Sequence, residues 1–209
     1  MKIISVILAR GGSKGIPKKN IIDLNKEPLI SYTIKTSLMS KVSETWVSTD
    51  DQEIANISDN LGASILWRPP NLSIDTSQSE EALLHFADNV DFDILVFIQP
   101  TSPLLEYKYI NKGLTMMDKY DSVFSAYEEH WRPIWSKEGI PTWDINDRPR
   151  RQDVGSIYIE NGAFYITTKN NLLKNKLRYS GNIGIVEMPQ EKSFQVDTYD
   201  DLKLIKKLI

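Results

Sequence analysis

The stretch Ala9-Arg10-Gly11-Gly12-Ser13-Lys14-Gly15 sets three glycines beside two cations, and Lys18 and Lys19 follow within four residues. Glycine lets backbone N–H groups approach an anion closely, while Arg and Lys supply positive charge, so the combination suits a phosphate. The P-loop spacing of four residues between a glycine and Gly-Lys-Ser/Thr is absent, and so is Gly-x-Gly-x-x-Gly. Gly-Gly-Ser-Lys-Gly alone also fits an ordinary solvated turn. That turn leaves unexplained why Lys2, Arg10, Lys14, Lys18 and Lys19 all precede the first acidic residue, Asp23.

The charge balance sharpens the point. The 209 residues carry 25 Lys and Arg against 28 Asp and Glu, a formal charge of −3. Residues 1–22 hold five of those bases and no acid, leaving 20 bases against 28 acids in the remainder. A nucleic-acid coat protein would be basic overall; here positive charge is confined to one small region. The absence of cysteine excludes disulfides, a thiol nucleophile and thiolate metal ligands, and two histidines give no basis for a multi-histidine zinc site. The first apolar run, Ile3 to Leu8, is too short for a signal core or a membrane span, so the expectation is a cytoplasmic protein binding neither membrane nor nucleic acid.

These residues need a scaffold that points the loop at a ligand. Ile3–Leu8 is a β-branched apolar run typical of a strand buried on both faces, placed directly before the loop. A helix is expected from Pro28 to about Ser40, with Ile30, Ile34, Ser37 and Leu38 on one face. Trp46–Thr49 predicts a second strand, and Asp51–Leu61 a helix stopped by Gly62. Ser64–Leu66 predicts a strand, and Ser77 with Glu80 forms a capping-box pattern before a helix running to about Val90. Ile94–Ile98 is the strongest strand signal; a helix over Tyr107 to about Lys119 and a strand over Ser122–Tyr127 follow. Ala163–Ile166 and Ile183–Met188 predict later strands, and a helix from about Asp200 closes the chain. Such alternation implies a three-layer, doubly wound, mostly parallel sheet, with ligands beyond the carboxyl ends of its strands. The loops after Leu8, Thr49 and Ile98 should therefore line one cleft.

Between Glu128 and Asp153 the alternation fails. Trp131, Trp135 and Trp143 lie there with three prolines and four arginines. Those tryptophans either cover part of the core or face a partner or a sugar.

The run Leu8 to Asn20 resembles the signature loop of acylneuraminate cytidylyltransferases, the CMP-sialic acid synthetases. Further matches occur in order: Ser48-Thr49-Asp50; Arg68-Pro69 with Leu72 and Asp75; Gln99-Pro100-Thr101-Ser102-Pro103-Leu104; Arg148 to Asp153 leading to Asn161-Gly162-Ala163-Phe164-Tyr165; and Val196-Asp197-Thr198. Kdo cytidylyltransferases carry a similar loop, but Ser-Lys-Gly-Ile followed by Lys-Asn is nearer the acylneuraminate type. The Gly-x-Gly-x-Arg-Leu loop of sugar-1-phosphate nucleotidyltransferases is missing.

The resemblance implies a nucleotide-diphospho-sugar transferase-like, Rossmann-like fold forming a single domain over residues 1–209, with an inserted dimerisation and sugar-site arm at about 128–160. It implies an enzyme joining CTP to a nine-carbon α-keto acid sugar, with release of pyrophosphate. Arg10, Gly11, Ser13 and Lys19 resemble the phosphate-binding residues, with Arg10, Lys19 and Asp197 as the catalytic set. Asn20, Arg68 and Ser79 resemble contacts to ribose and base, although Ser79 equally suits ordinary helix N-terminal bonding. Gln99, Arg132, Arg151 and Tyr165 resemble sugar-site residues. Family members carry Asp-x-Asp where this chain has Gln195-Val196-Asp197. Mg²⁺, with Mn²⁺ as a substitute, is then expected on Asp197, with Gln195 a poorer ligand for a hard cation. Asp197 also fits a helix N-cap. The expected state is a homodimer. A Kdo-type enzyme and a catalytically impaired CTP-binding protein, the latter motivated by Gln195, are the alternatives.

Overall fold

The computed structural model describes residues 1–130 and 132–209; Trp131 lies outside the described residues. In chain order the elements are β1 (Ile3–Leu8), a small hairpin of β2 (Asp23–Leu24) and β3 (Glu27–Pro28), α1 (Leu29–Leu38), β4 (Glu44–Thr49), α2 (Gln52–Asn60), β5 (Ser64–Trp67), α3 (Ser79–Asn89), β6 (Ile94–Ile98), α4 (Tyr107–Met116), β7 (Ser122–Glu129), β8 (Ile157–Thr168), α5 (Lys169–Asn175), β9 (Ile183–Glu187) and α6 (Tyr199–Ile205). Seven strands form one sheet in the order β5-β4-β1-β6-β8-β7-β9. All neighbours are parallel except that β8 runs antiparallel to both β6 and β7.

Alternation along the central strands divides the core into two layers. Ile7 of β1 and Ile94, Val96 and Ile98 of β6 pack with Ile30 and Ile34 of α1, Ile54 of α2 and Ile110 of α4. Ile4 and Val6 of β1 and Leu95 and Phe97 of β6 face the other way, onto Leu83 and Phe86 of α3 and Leu172 of α5. The sheet is thus covered on both faces, which is why its central strands read as nearly unbroken apolar runs, interrupted in β1 by the buried Ser5. A third cluster joins Ile16 of the basic loop, Leu24, Leu29 and Leu104 to Val196, Leu202 and Ile205 near the chain's end. It fixes the basic loop and the Gln195–Asp197 segment against one another.

Several local expectations need correction. Leu38, the last residue of α1, is half exposed rather than part of the buried face. The capping box of α3 uses Gln78 and Glu81, one residue later than expected: the Glu81 carboxylate accepts the Gln78 N–H at 3.1 Å. The Ser77 hydroxyl instead donates to the Asn71 carbonyl. The closing helix is capped by Thr198 with Asp201, which leaves Asp197 outside the cap. Strand β8 is 12 residues long and carries an irregularity opposite Phe124–Ala126. There Asn161 accepts from the Ser125 hydroxyl and the Ala163 N–H, so the polar Asn-Gly pair interrupts the apolar pattern. Among the described residues no helix is long and apolar enough to cross a membrane.

Candidate active site

Strand order reverses at β1, with β4 on one side and β6 on the other, and a cleft opens beyond the carboxyl ends of β1 and β6. Its volume is about 250 Å³, and Arg10, Ser13, Lys19, Asn20, Arg68, Ser79 and Gln99 line it. Seven of the residues singled out from sequence therefore meet in one place. Leu8 and Phe97 add apolar wall, and Leu72, Ile74, Ser77 and Gln78 close the side between β5 and α3.

The loop's conformation is held from within. Asn20 is buried, and its amide donates to the Arg10 carbonyl at 2.9 Å. The Gly11 N–H donates to Asp50 at 2.9 Å. A Cβ on Gly11 would come within 2.8 Å of the Asp51 Cβ, so only glycine lets the loop lie on the N-terminus of α2. Asp51 caps that helix through the Glu53 and Ile54 N–H groups. The loop after β4 thus supports the basic loop, while Arg68, at the end of β5, enters the cleft itself.

The cations are held by carboxylates. Asp75 accepts from Arg10 at 2.7 Å and from Lys14 at 3.0 Å, and these two bonds keep its carboxyl below the usual carboxylate range. Lys19 reaches Asp197 at 2.8 Å. Lys19 is 19% exposed and Asp197 62%, so the pair is solvated on its acidic side and contributes at most about 1 kcal/mol. Exchange of that partner for a phosphate oxygen is inexpensive.

Arg68 differs from the others. It is 8% exposed, its Nη2 donates to the Ser48 carbonyl at 2.5 Å, and its Nε has no hydrogen-bond partner among the described residues. Burial pushes the guanidinium from 12.5 down to about 10, opposed by Asp50 and reinforced by Arg10. A buried cation with an unpaired donor beside a cleft is suited to an acceptor supplied from outside.

Gln195 and Gly162 explain each other. The Gln195 amide donates to the Asn161 carbonyl and, at 3.3 Å, to the Ser102 hydroxyl. Gly162 has φ +67°, and a Cβ there would lie 2.5 Å from Gln195 Nε2 and 3.3 Å from Gln99 Oε1. Glycine satisfies both the left-handed backbone and the close packing of two glutamines. Among the described residues no group of three or more His, Asp or Glu is placed to hold a metal ion. Mg²⁺ commonly takes one or two carboxylates and completes its shell with substrate phosphate and water. The exposed Asp197 beside the loop cations fits one such ion; Gln195, with its amide nitrogen turned to the protein, does not add a second carboxylate.

The remaining sugar-site candidates are not in this cleft. Tyr165 is buried behind it, stacked on Phe97 at 5.5 Å, with its hydroxyl donating to Glu160. Burial, then that bond, pushes the phenol up. Arg132 and Arg151 line a second cavity of about 730 Å³ at the tip of the β7–β8 hairpin, together with Glu129, Arg148 and Arg150. Arg132 pairs with Glu129 at 2.7 Å. In this arm Trp135 and Trp143 pack edge to face on one another, 5.0 Å apart, instead of entering the core clusters. Ile134, Trp135, Ile140 and Ile145 are each at least half exposed.

Two groups near the cleft escaped sequence reasoning. Asp75 stood in a matched motif without a role, and its spacing from Arg68 was its signal. Arg178 forms a bidentate pair with Glu80 at 2.6 and 2.9 Å, across 98 residues of sequence, and nothing local announces that.

Residues 4–209 match the family model described as cytidylyltransferase. Over 206 residues the chain is 38% identical to N-acylneuraminate cytidylyltransferase A of Danio rerio, covering 93% of this chain and 48% of that protein. It is 34% identical over 213 residues to N-acylneuraminate cytidylyltransferase of Streptococcus agalactiae serotype V, covering 96% and 52%. The chain spans about half the length of the curated relatives it matches. Among solved structures, CMP:2-keto-3-deoxy-manno-octonic acid synthetase complexed with CTP superposes with a TM-score of 0.76 at 19% identity, covering 100% of this chain and 98% of that one. The 4-diphosphocytidyl-2C-methyl-D-erythritol synthase of Anaerococcus prevotii gives 0.72 at 12% identity, over 99% and 97%. Both likenesses show the same fold. With the basic loop, the switch-point cleft and the ordered motifs, the match over nearly its full length shows that the chain belongs to the cytidylyltransferase family.

Proposed function

We propose that this chain activates a nonulosonic acid, a nine-carbon α-keto acid sugar, by transfer of CMP from CTP. The observation that carries the reading is the convergence of Arg10, Lys19 and buried Arg68 on one cleft at the switch point. Phosphoryl and nucleotidyl transfer depend on positioning and on neutralising the phosphates, and these cations supply both. The anomeric hydroxyl oxygen of the sugar acid attacks the α-phosphorus. A new O–P bond forms, the bond to the β-phosphate bridge breaks, pyrophosphate leaves and the hydroxyl proton passes to water. Arg10 and Lys19 exchange Asp75 and Asp197 for phosphate oxygens and stabilise the charge that grows on pyrophosphate. Arg68, Asn20 and Ser79 hold the nucleoside, and Gln99 offers its amide to the sugar. Asp197 would hold Mg²⁺, which when bound supplies charge neutralisation at the triphosphate.

The arm completes the site in a homodimer. Arg132 and Arg151 lie away from their own cleft, on an arm with exposed Ile134, Trp135 and Ile140, and serve the partner's sugar carboxylate by charge-assisted bonds. The setting is the cytoplasm, where CTP is available. Pyrophosphate release with CTP, Mg²⁺ and a panel of sugar acids tests the reading. Turnover with a nonulosonic acid is expected; turnover with Kdo alone would assign the Kdo-type reaction, and CTP binding without turnover on any acid would leave a binding protein.

A further inference from the structure

Glu80 opens the first turn of α3, directly after Ser79 in the cleft wall. Arg178, in the segment between α5 and β9, holds that carboxylate with both Nε and Nη2. The same guanidinium lies 5.5 Å from the Phe97 ring centroid and 5.0 Å from that of Tyr165. Phe97 is itself cleft wall. One side chain therefore ties the start of α3 to the aromatic floor of the sheet, two walls with no sequence neighbourhood in common. Arg178 and Glu80 are only 20% and 18% exposed. A pair this enclosed adds little net stability over apolar residues of equal volume, because desolvation offsets the attraction. What it does fix is geometry: a planar fork admits one relative placement of Glu80, and hence of Ser79, over Phe97.

Resting on the reading that the cleft takes CTP, we infer that Arg178 is a positioning residue for the nucleotide, acting through Glu80 and Phe97 on the wall that receives the nucleoside. It touches no reacting atom. Its loss therefore weakens CTP binding while leaving the bound complex competent, since Arg10, Lys19 and Asp197 sit on other loops.

The test is calorimetric CTP binding, steady-state kinetics and thermal melts on Arg178→Met, Arg178→Lys and Glu80→Gln. In Arg178→Met and Glu80→Gln, Kd and KM for CTP should rise about tenfold, with kcat within about threefold. Arg178→Lys keeps the charge but not the fork, and should fall between. The double variant should bind CTP no worse than either single one, because both remove the same tie. Equal CTP affinity in folded variants would overturn the inference, as would a fall in kcat at unchanged KM, the mark of a merely structural loss. Should Arg178→Met fail to fold, Arg178→Lys and Glu80→Gln carry the same comparison. Absence of CTP binding by the unaltered chain would overturn the functional reading itself; binding that Arg178→Met leaves equally tight overturns this inference alone.

Discussion

Arg68→Met should stabilise the free protein and weaken CTP binding at once. The substitution keeps length and apolar bulk but removes a charge that is 8% exposed. Burial lowers the guanidinium from 12.5 to about 10, which corresponds to about 3 kcal/mol against the charged form in the folded state. The group is protonated in both folded and unfolded chains at neutral pH, so that cost applies in full there and is relieved only as pH rises past 10. Against it stands the hydrogen bond to the Ser48 carbonyl, worth about 1 kcal/mol; that oxygen keeps the Ala9 N–H at 3.0 Å as a second partner. The balance is a gain of about 1–2 kcal/mol, or a melting temperature higher by roughly 2–8 °C for a domain of this size. Loss of bonds from a charged donor should weaken CTP binding about 10–100-fold. Scanning calorimetry on the free protein and titration calorimetry with CTP read the two effects separately. A melt lowered by several degrees with unchanged CTP affinity would refute the reasoning, because Arg68 would then be a structural ion satisfied by the protein.

Lys19→Ala removes a cation whose ion pair is with the exposed Asp197, so turnover should fall about 10²–10³-fold while the melt moves by less than a few degrees; full activity by pyrophosphate release would remove Lys19 from the mechanism. Gln195→Glu turns a carboxylate oxygen toward the Asn161 carbonyl in place of an amide donor, and denaturant titration should show a loss of about 1–3 kcal/mol; an unchanged midpoint would mean the amide is no tether. The Arg178 hydrogen bonds hold the Glu80 carboxyl below its ordinary 4.5. A carboxyl with a lower value folded than unfolded contributes stability that is complete above about 4.5 and lost as pH falls through the folded value. The stability difference between the unaltered chain and Glu80→Gln should shrink on acidification through that window, and a constant difference would contradict the assignment.

What was legible from sequence followed physical locality. The apolar runs of β1 and β6 announce buried parallel strands because both faces are covered. The five early bases stand out because no acid dilutes them. Strand β8 extends beyond the expected Ala163–Ile166: its start, Ile157–Glu160, pairs with β7 on the far side of the polar Asn161-Gly162 break, and with Ile157 and Tyr158 exposed no alternation of buried and exposed residues marks it. Helix α5 gave no signal, since it is seven residues long with only Leu172 buried. At α3, Ser77 and Glu80 mimic a capping box, but Glu80 is claimed by Arg178 and the cap moves one residue on, to Gln78 and Glu81. Asp197 could be a cap or a cleft residue from sequence; Thr198 takes the cap and Lys19 takes Asp197. Long-range pairs of this kind are invisible to any local pattern.

A product balance tests CMP transfer itself: CTP, Mg²⁺ and the acid that turns over, with pyrophosphate and the CMP ester of the sugar quantified together by anion exchange and mass spectrometry. One pyrophosphate is expected for each CMP-sugar, and none when Lys19 and Arg10 are both replaced by alanine. No CMP ester with any sugar acid, or pyrophosphate release that depends on a sugar 1-phosphate instead, would contradict it.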